Sequence, residues 1–441
     1  MRARKLADDM KPSLPASYEP QARRLIETVI NADANVREGC PADAYLARLF
    51  RQNRAYGSKT RRLIADTVFS RFRWRGWLTR EGKPADPATV ALAHALDADQ
   101  IHPLINYLAP FPVEPLRGLS LTKKAEKLVA VGAWPSPPEP EQLVPHWAPQ
   151  QWTTPPDMDA IDYEKRLITS FQERPAIWLR FPRDTRDTGL RALSAFGHDA
   201  VPHPVLASAA SISRAISREH AEHPSVPPFV FQDVSSQCVG LIANPQPCDR
   251  WWDVCAGAGG KTLHLADLMQ YRGHVRATEP RDKAVRELQR RAQRQQVHTM
   301  IEVLQTDARD VASGRMFDGV LVDAPCSGMG TWSRAPDARW RISQEDIPAF
   351  TALQRALLQH GARSVRNGGV LTYAVCTLTA EETVSQVRAF EMDHPDFVPQ
   401  SFIHPLTRET CRGHTWILPW QGSCGAMFVA KWRKEASNVS V

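Results

Sequence analysis

Trp251-Trp252-Asp253-Val254-Cys255-Ala256-Gly257-Ala258-Gly259-Gly260-Lys261-Thr262 is the stretch on which the fold turns. Strand-like residues run into a glycine-rich loop, and the loop runs into an apolar helix through Leu263, Leu265, Leu268 and Met269. Glycines at 257, 259 and 260 let the backbone turn sharply and approach a ligand with no Cβ in the way. Such a loop alone is a weak signal, common to many nucleotide-type sites. A phosphate-loop reading fails on spacing: Gly-x-x-x-x-Gly-Lys-Ser/Thr requires glycine at 255, where Cys255 stands.

Downstream of this stretch the same rhythm repeats. Residues 274–279 read as a strand closing on the acid Glu279, and 281–296 as a charged surface helix. Asp307 closes a third strand, and residues 317–323 and 369–375 read as two more, separated by a helix over roughly 345–365. Alternation of this kind predicts a doubly wound parallel sheet, whose ligands collect at the carboxyl ends of the strands. Two cysteine motifs fall at such ends: Asp323-Ala324-Pro325-Cys326-Ser327-Gly328 and Tyr373-Ala374-Val375-Cys376-Thr377-Leu378.

Upstream the texture differs. Leu25, Ile26, Val29 and Ile30, and again Ile64, Val68 and Phe72, recur at one-face helical spacing, which predicts an all-α domain over 1–133. Eight prolines from Pro135 to Pro156 preclude long helices and mark a linker over 134–158. Short apolar runs with a helix-like stretch near 186–196 suggest a small α/β module over 159–235, ahead of a catalytic domain over 236–441.

With 441 residues and 43% hydrophobic content the chain can bury two or three cores, which excludes a single small domain. Its eight cysteines contain no Cys-x-x-Cys pair and no zinc-like spacing, so reduced thiols and no metal are expected. The first ten residues lack the apolar core of a signal peptide, and no run approaches the roughly 18 apolar residues of a membrane span. A soluble, cytoplasmic monomer is the expectation. Net charge is +7, and residues 51–80 hold nine cations (Arg51, Arg54, Lys59, Arg61, Arg62, Arg71, Arg73, Arg75, Arg80) against one acid, Asp66. That window is open to two readings, a solvated helix face or a phosphate-backbone contact surface with Phe72, Trp74 and Trp77 interleaved.

The glycine loop, Glu279, Asp307 and Asp323, in that order, resemble the S-adenosylmethionine site of Rossmann-like methyltransferases. The chain further resembles the RNA (cytosine-5) methyltransferases of the Sun type, and within them the bacterial 16S rRNA cytosine methyltransferase B group. The matching pieces are 231–237, 255–262, 323–328, Arg334-Ala335-Pro336-Asp337, 373–378 followed by Glu381-Glu382, and 426–430. The N-terminal helices resemble that group's NusB-like RNA-binding domain through residues 61–66, and by resemblance the middle module is an RNA-recognition-like appendage. Three positions depart from the usual pattern: Ala258 stands for proline, Val375 for threonine, and Glu279 for aspartate.

The resemblance implies S-adenosylmethionine as cofactor, held by Cys255, Ala256, Gly257, Ala258, Gly259, Gly260, Lys261, Glu279, Asp307 and Asp323. It implies RNA, with 16S rRNA foremost, as the partner. It implies Cys376 as the nucleophile that adds to carbon 6 of cytosine, Cys326 as the thiol that assists release, and Asp323 and Lys261 as supporting catalytic groups. An ordinary cysteine, with pKa about 8.5, is only a few per cent thiolate at neutral pH, so the site must supply charge or hydrogen bonds. The remaining cysteines, Cys255 included, read as packing. Other readings stay open: a transfer RNA substrate, a DNA-type enzyme with Cys326 as nucleophile, or a non-catalytic rRNA-binding assembly factor.

Overall fold

The structure, a computed structural model, describes residues 18–79, 85–312 and 314–435. The ten N-terminal residues read above for targeting signals, and Arg80 of the cationic window, lie outside the described residues. The chain parts into two compact units. One gathers the residues up to Gln150 with Pro156–Arg174 and Trp332–Gln344; the other gathers Gln151–Pro155, Pro175–Thr331 and the residues from Glu345 onward.

Among its described residues the first unit holds helices and no strand, the longer ones being α1 Tyr18–Arg37, α2 Ala42–Gln52, α3 Ser58–Arg73, α4 Pro87–Asp97, α5 Pro103–Leu108, α6 Leu121–Ala130 and α7 Ala160–Phe171. Local chemistry sets the helix starts. Asp86 accepts from the Thr89 amide while the Thr89 hydroxyl takes the Asp86 amide, and Pro87 needs no donor in the first turn. The one-face residues Leu25, Val29, Ile64, Val68 and Phe72 share one core.

Two of the nine cations, Arg71 and Arg73, belong to that interior, which corrects the reading of the whole window as a contact surface. Arg71 and Arg73 are buried on α3, and Phe72, Trp74 and Trp77 are core residues. Arg73 pairs with Asp97 at 3.1 Å and donates to the Ser333 carbonyl at 2.6 Å. Arg75 sits 3.5 Å from Asp33 and over the Trp340 ring. Arg51, Arg54, Lys59 and Arg62 are the exposed members.

Trp332–Gln344 also packs inside this unit, although it lies amid the cysteine motifs in sequence. Fully buried Arg339 donates to the carbonyls of Leu143, Phe171 and Trp332, Trp340 Nε1 donates to Phe72 O at 2.8 Å, and Asp337 accepts from the Ala42 amide at 3.1 Å.

The second unit begins with a small antiparallel sheet of β1 Ile177–Arg180, β2 Ala200–Pro202, β3 Ala209–Ile212 and β4 Val230–Phe231, in the order β2-β3-β1-β4, with helix α8 Arg186–Ala195. Helix α9 Val234–Ala243 then leads into alternating elements: β5 Arg250–Asp253, α10 Gly260–Leu268, β6 His274–Thr278, α11 Asp282–Arg294, β7 Ile301–Leu304, β8 Phe317–Asp323, α12 Ile347–Arg363, β9 Val365–Val375 and α13 Val384–Asp393. Strands β10 Phe397–Pro399, β11 Ser401–Ile403, β12 Thr410–Arg412, β13 His414–Ile417 and β14 Met427–Lys434 complete it. The large sheet runs β10-β14-β9-β8-β5-β6-β7, with β13 on β14.

Strands β9, β8, β5, β6 and β7 are mutually parallel, and β14 lies antiparallel to β9. Their buried, nearly continuous apolar runs suit strands covered on both faces. Gly319 of β8 makes room for the Trp251 ring, since a Cβ there would lie 2.3 Å from its Cε2. Strand order reverses between β5 and β8, which places the ligand crevice at the carboxyl ends of those two strands.

Candidate active site

The loop after β5 is built for close approach. Gly257 and Gly259 both take positive φ (+54° and +84°), and a Cβ at Gly259 would meet Leu288 Cγ at 2.7 Å. Asp253, at the end of β5, is fully buried and holds the Thr262 hydroxyl at 2.7 Å. Burial pushes its carboxyl up to about 7. Arg180, at the end of β1 and also buried, donates to Gln232 Oε1 at 2.6 Å and to the Gly260 carbonyl at 3.2 Å, which ties the small sheet to the first residue of α10. Sequence reasoning assigned no role to Arg180 or to the Gln232 side chain, because Arg180 meets Gln232 and a main-chain carbonyl 52 and 80 positions away, which no motif spacing reveals.

Each expected acid stands at a strand end. Glu279 follows β6 and accepts from the Gly257 amide at 3.0 Å, from the Arg281 amide at 2.9 Å and from the Arg281 guanidinium at 2.6 Å. Burial alone would raise this carboxyl, but the Arg281 and Gly257 donors pull it below the usual range. Asp307 is gripped by its neighbour Arg309, at 3.0 Å on one oxygen and 2.7 Å on the other, and is lowered chiefly by that contact. Asp323, the last residue of β8, accepts from Lys261 Nζ at 2.6 Å. Lys261 and Asp323, both expected as supporting catalytic groups, thus meet each other. Cys255 lies in the loop, its thiol raised by burial and by the acids around it.

The two thiols meet. Cys326, three residues beyond β8, and Cys376, directly after β9, bring their Sγ atoms to 3.4 Å. Contact with Cys376, then burial, pushes the Cys326 thiol well up. Gly330 N donates to Cys376 O at 3.0 Å, so main-chain bonding also joins the two loops. Val375 is buried in β9 opposite Phe428 and takes no place in the loop.

A buried acid completes the cluster. Glu382 accepts from the Ser327 amide and from Gln354 Nε2, both at 2.9 Å, and from the hydroxyls of Ser327 and Thr379. It entered the sequence reading only as part of a motif. The Thr379-x-x-Glu382 spacing is that of a capping box and would have drawn attention to it. Among the described residues no cluster could hold a metal ion, and no helix is long and apolar enough to cross a membrane.

Strand order, glycine loop and strand-end acids give the second unit a Rossmann-like α/β fold with its crevice at the carboxyl ends of β5 and β8. More particularly, residues 240–433 match the family model described as 16S rRNA methyltransferase RsmB/F. Ribosomal RNA small subunit methyltransferase B of Yersinia pestis is 31% identical over 236 residues, which cover 53% of this chain and 54% of that one. A Synechocystis protein described as "Probable ribosomal RNA small subunit methyltransferase B" is 36% identical over 213 residues, 47% of this chain and 48% of its own. The chain thus spans about half the length of the curated relatives it matches. The crystal structure of PH0851 shares the fold at a TM-score of 0.72 and 22% identity, covering 96% of this chain and 100% of that one.

Proposed function

We propose that this chain transfers a methyl group from S-adenosylmethionine to carbon 5 of a cytosine in RNA, with 16S rRNA as the RNA class. One observation carries the reading: two thiols 3.4 Å apart at the ends of neighbouring parallel strands, beside the crevice that the strand order creates. A fold kept only for binding has no use for that pair.

The residues suit the cofactor. Above Gly257 the loop is open, for a Cβ there would meet only Arg281 Nη2, at 4.0 Å. Glu279 and Asp307, exchanging their arginine contacts for ligand donors, would take the ribose hydroxyls and the adenine amine. When bound, S-adenosylmethionine supplies an electrophilic methyl group.

Carbon 5 of cytosine is too weak a nucleophile to take that methyl unaided, so the ring must first be activated. The Cys376 thiolate adds to carbon 6, and the electron pair displaced from the ring makes carbon 5 nucleophilic. Carbon 5 would then bond the methyl carbon as the bond from that carbon to the cofactor sulfur breaks, its electron pair staying on the sulfur. Loss of the carbon 5 proton to a base breaks the carbon 6–sulfur bond and returns the pair to Cys376. Cys326, in contact with the departing sulfur and held as a thiol by that contact and by burial, assists the release. Asp323, with Oδ2 on Lys261, is the group assigned to the amino edge of the base. The exposed cations Arg51, Arg54, Lys59 and Arg62 serve as phosphate contacts.

The two thiols separate in time, and that is the test. Cys376→Ala should neither methylate RNA nor form an adduct. Cys326→Ala should accumulate a protein–RNA species that survives denaturing electrophoresis, and the double variant should lose it. Adduct in Cys376→Ala with none in Cys326→Ala would exchange the roles. No methyl transfer to any RNA by the intact protein would sink the proposal.

A further inference from the structure

We propose that Glu382 is the positioning residue that holds the loops after β8 and β9 together and so sets the distance between Cys326 and Cys376. Its catalytic consequence rests on the reading above; its geometric content does not.

Glu382 is 0% exposed. Removing a carboxylate from water costs several kcal/mol unless donors surround it, so the partners of such a group indicate what it is kept for. Oε1 takes the Ser327 amide and Gln354 Nε2. Oε2 takes the Ser327 and Thr379 hydroxyls and lies 3.2 Å from Thr377 Oγ1, which is itself 2.7 Å from Ser327 Oγ. Ser327 adjoins Cys326, and Thr377 adjoins Cys376. Each thiol is therefore one residue from a group bonded to this carboxylate, and α12 braces it from a third side through Gln354.

The anchor is itself held, because Tyr373 Oη, buried within β9, donates to the Glu382 carbonyl at 2.8 Å. A plain helix cap would send the carboxylate back to the Thr379 amide. Here only half of that box forms, with the Glu382 amide 3.4 Å from Thr379 Oγ1, and the carboxylate reaches instead to residues 28 and 55 positions away. Glu382 touches neither sulfur in this network; it acts through their neighbours.

The test reads the thiol–thiol distance without RNA. Reduced protein is treated with diamide, which takes two electrons and two protons as the two thiols become one disulfide, and the Cys326–Cys376 linkage is followed by peptide mass spectrometry. Glu382→Ala should form it about tenfold more slowly than the parent and lower kcat by a similar or larger factor, with KM for RNA little changed. Cofactor affinity by calorimetry should hold within about twofold, since no partner of Glu382 belongs to the glycine loop. Unchanged disulfide rate and kcat would overturn the proposal. Should Glu382→Ala fail to bind cofactor, Glu382→Gln and Thr379→Val decide by the same two measurements: slower linkage supports it and a parental rate overturns it. Methyl transfer absent from the parent would defeat the functional reading, while slow linkage in the variants would still uphold the role of Glu382.

Discussion

Helix α3 and the loops after β8 and β9 carry the same kind of sequence signal, charged or reactive side chains in close succession, and the fold treats them differently. On α3 the run of arginines divides: Arg62 faces solvent, whereas Arg71 and Arg73 turn inward to Thr79 and Asp97. At the strand ends Cys326, Cys376 and Asp323 all stand where the parallel sheet opens its crevice. A strand end in this topology has one destination. A helix has a full circle of faces, and its neighbours decide which are covered.

Buried charge sharpens the contrast. Arg73 is paired with Asp97, which Arg174 and Ser70 also hold, so each side of the pair belongs to a buried network that a single substitution breaks. Arg73→Leu should cost about 3–5 kcal/mol of stability in urea unfolding, and Arg73→Leu with Asp97→Asn should cost less than the sum of the two. A variant that kept its stability and lost only RNA affinity would return Arg73 to the contact surface.

Asp253, at a strand end, has a hydroxyl partner in Thr262 and, among the described residues, no salt bridge. Its folded pKa of about 7 lies above the unfolded value of 3.8, so the native state binds more protons between the two. This group's contribution therefore falls as pH rises from about 4 to about 7 and is level above that. Asp253→Asn lacks the penalty, and its stability relative to the parent should grow by on the order of 2–4 kcal/mol across that window, in unfolding curves at pH 4.5 and pH 8. A difference that stayed constant with pH would show the carboxylate already ionised in the acid range.

The smallest effect belongs to the exposed members of the cationic window. Charge reversal at Arg51, Arg54 and Arg62 should leave stability within about 0.5 kcal/mol. The slope of log affinity for RNA against log salt should drop by about one for each phosphate that is no longer neutralised. An unchanged slope would make these residues a solvated face and confine the contact surface to other parts of the chain.

Local pattern was enough for the strand–glycine loop–helix, the parallel alternation, the acids at successive strand ends and the two cysteine motifs. Glycine loops and strand-end residues are constrained by backbone geometry within a few positions, so their spacing survives in one dimension. Tertiary structure alone decided that Arg71 and Arg73 are interior, that 332–344 packs among the helices, that Lys261 meets Asp323, and that Glu382 ties Ser327 to Thr379 and Gln354. Arg71 with Thr79 and Glu382 with Thr379 apart, these contacts depend on partners tens to hundreds of residues away. Burial of a charge is tolerated only where such a partner waits, and no local spacing records where the chain will supply one.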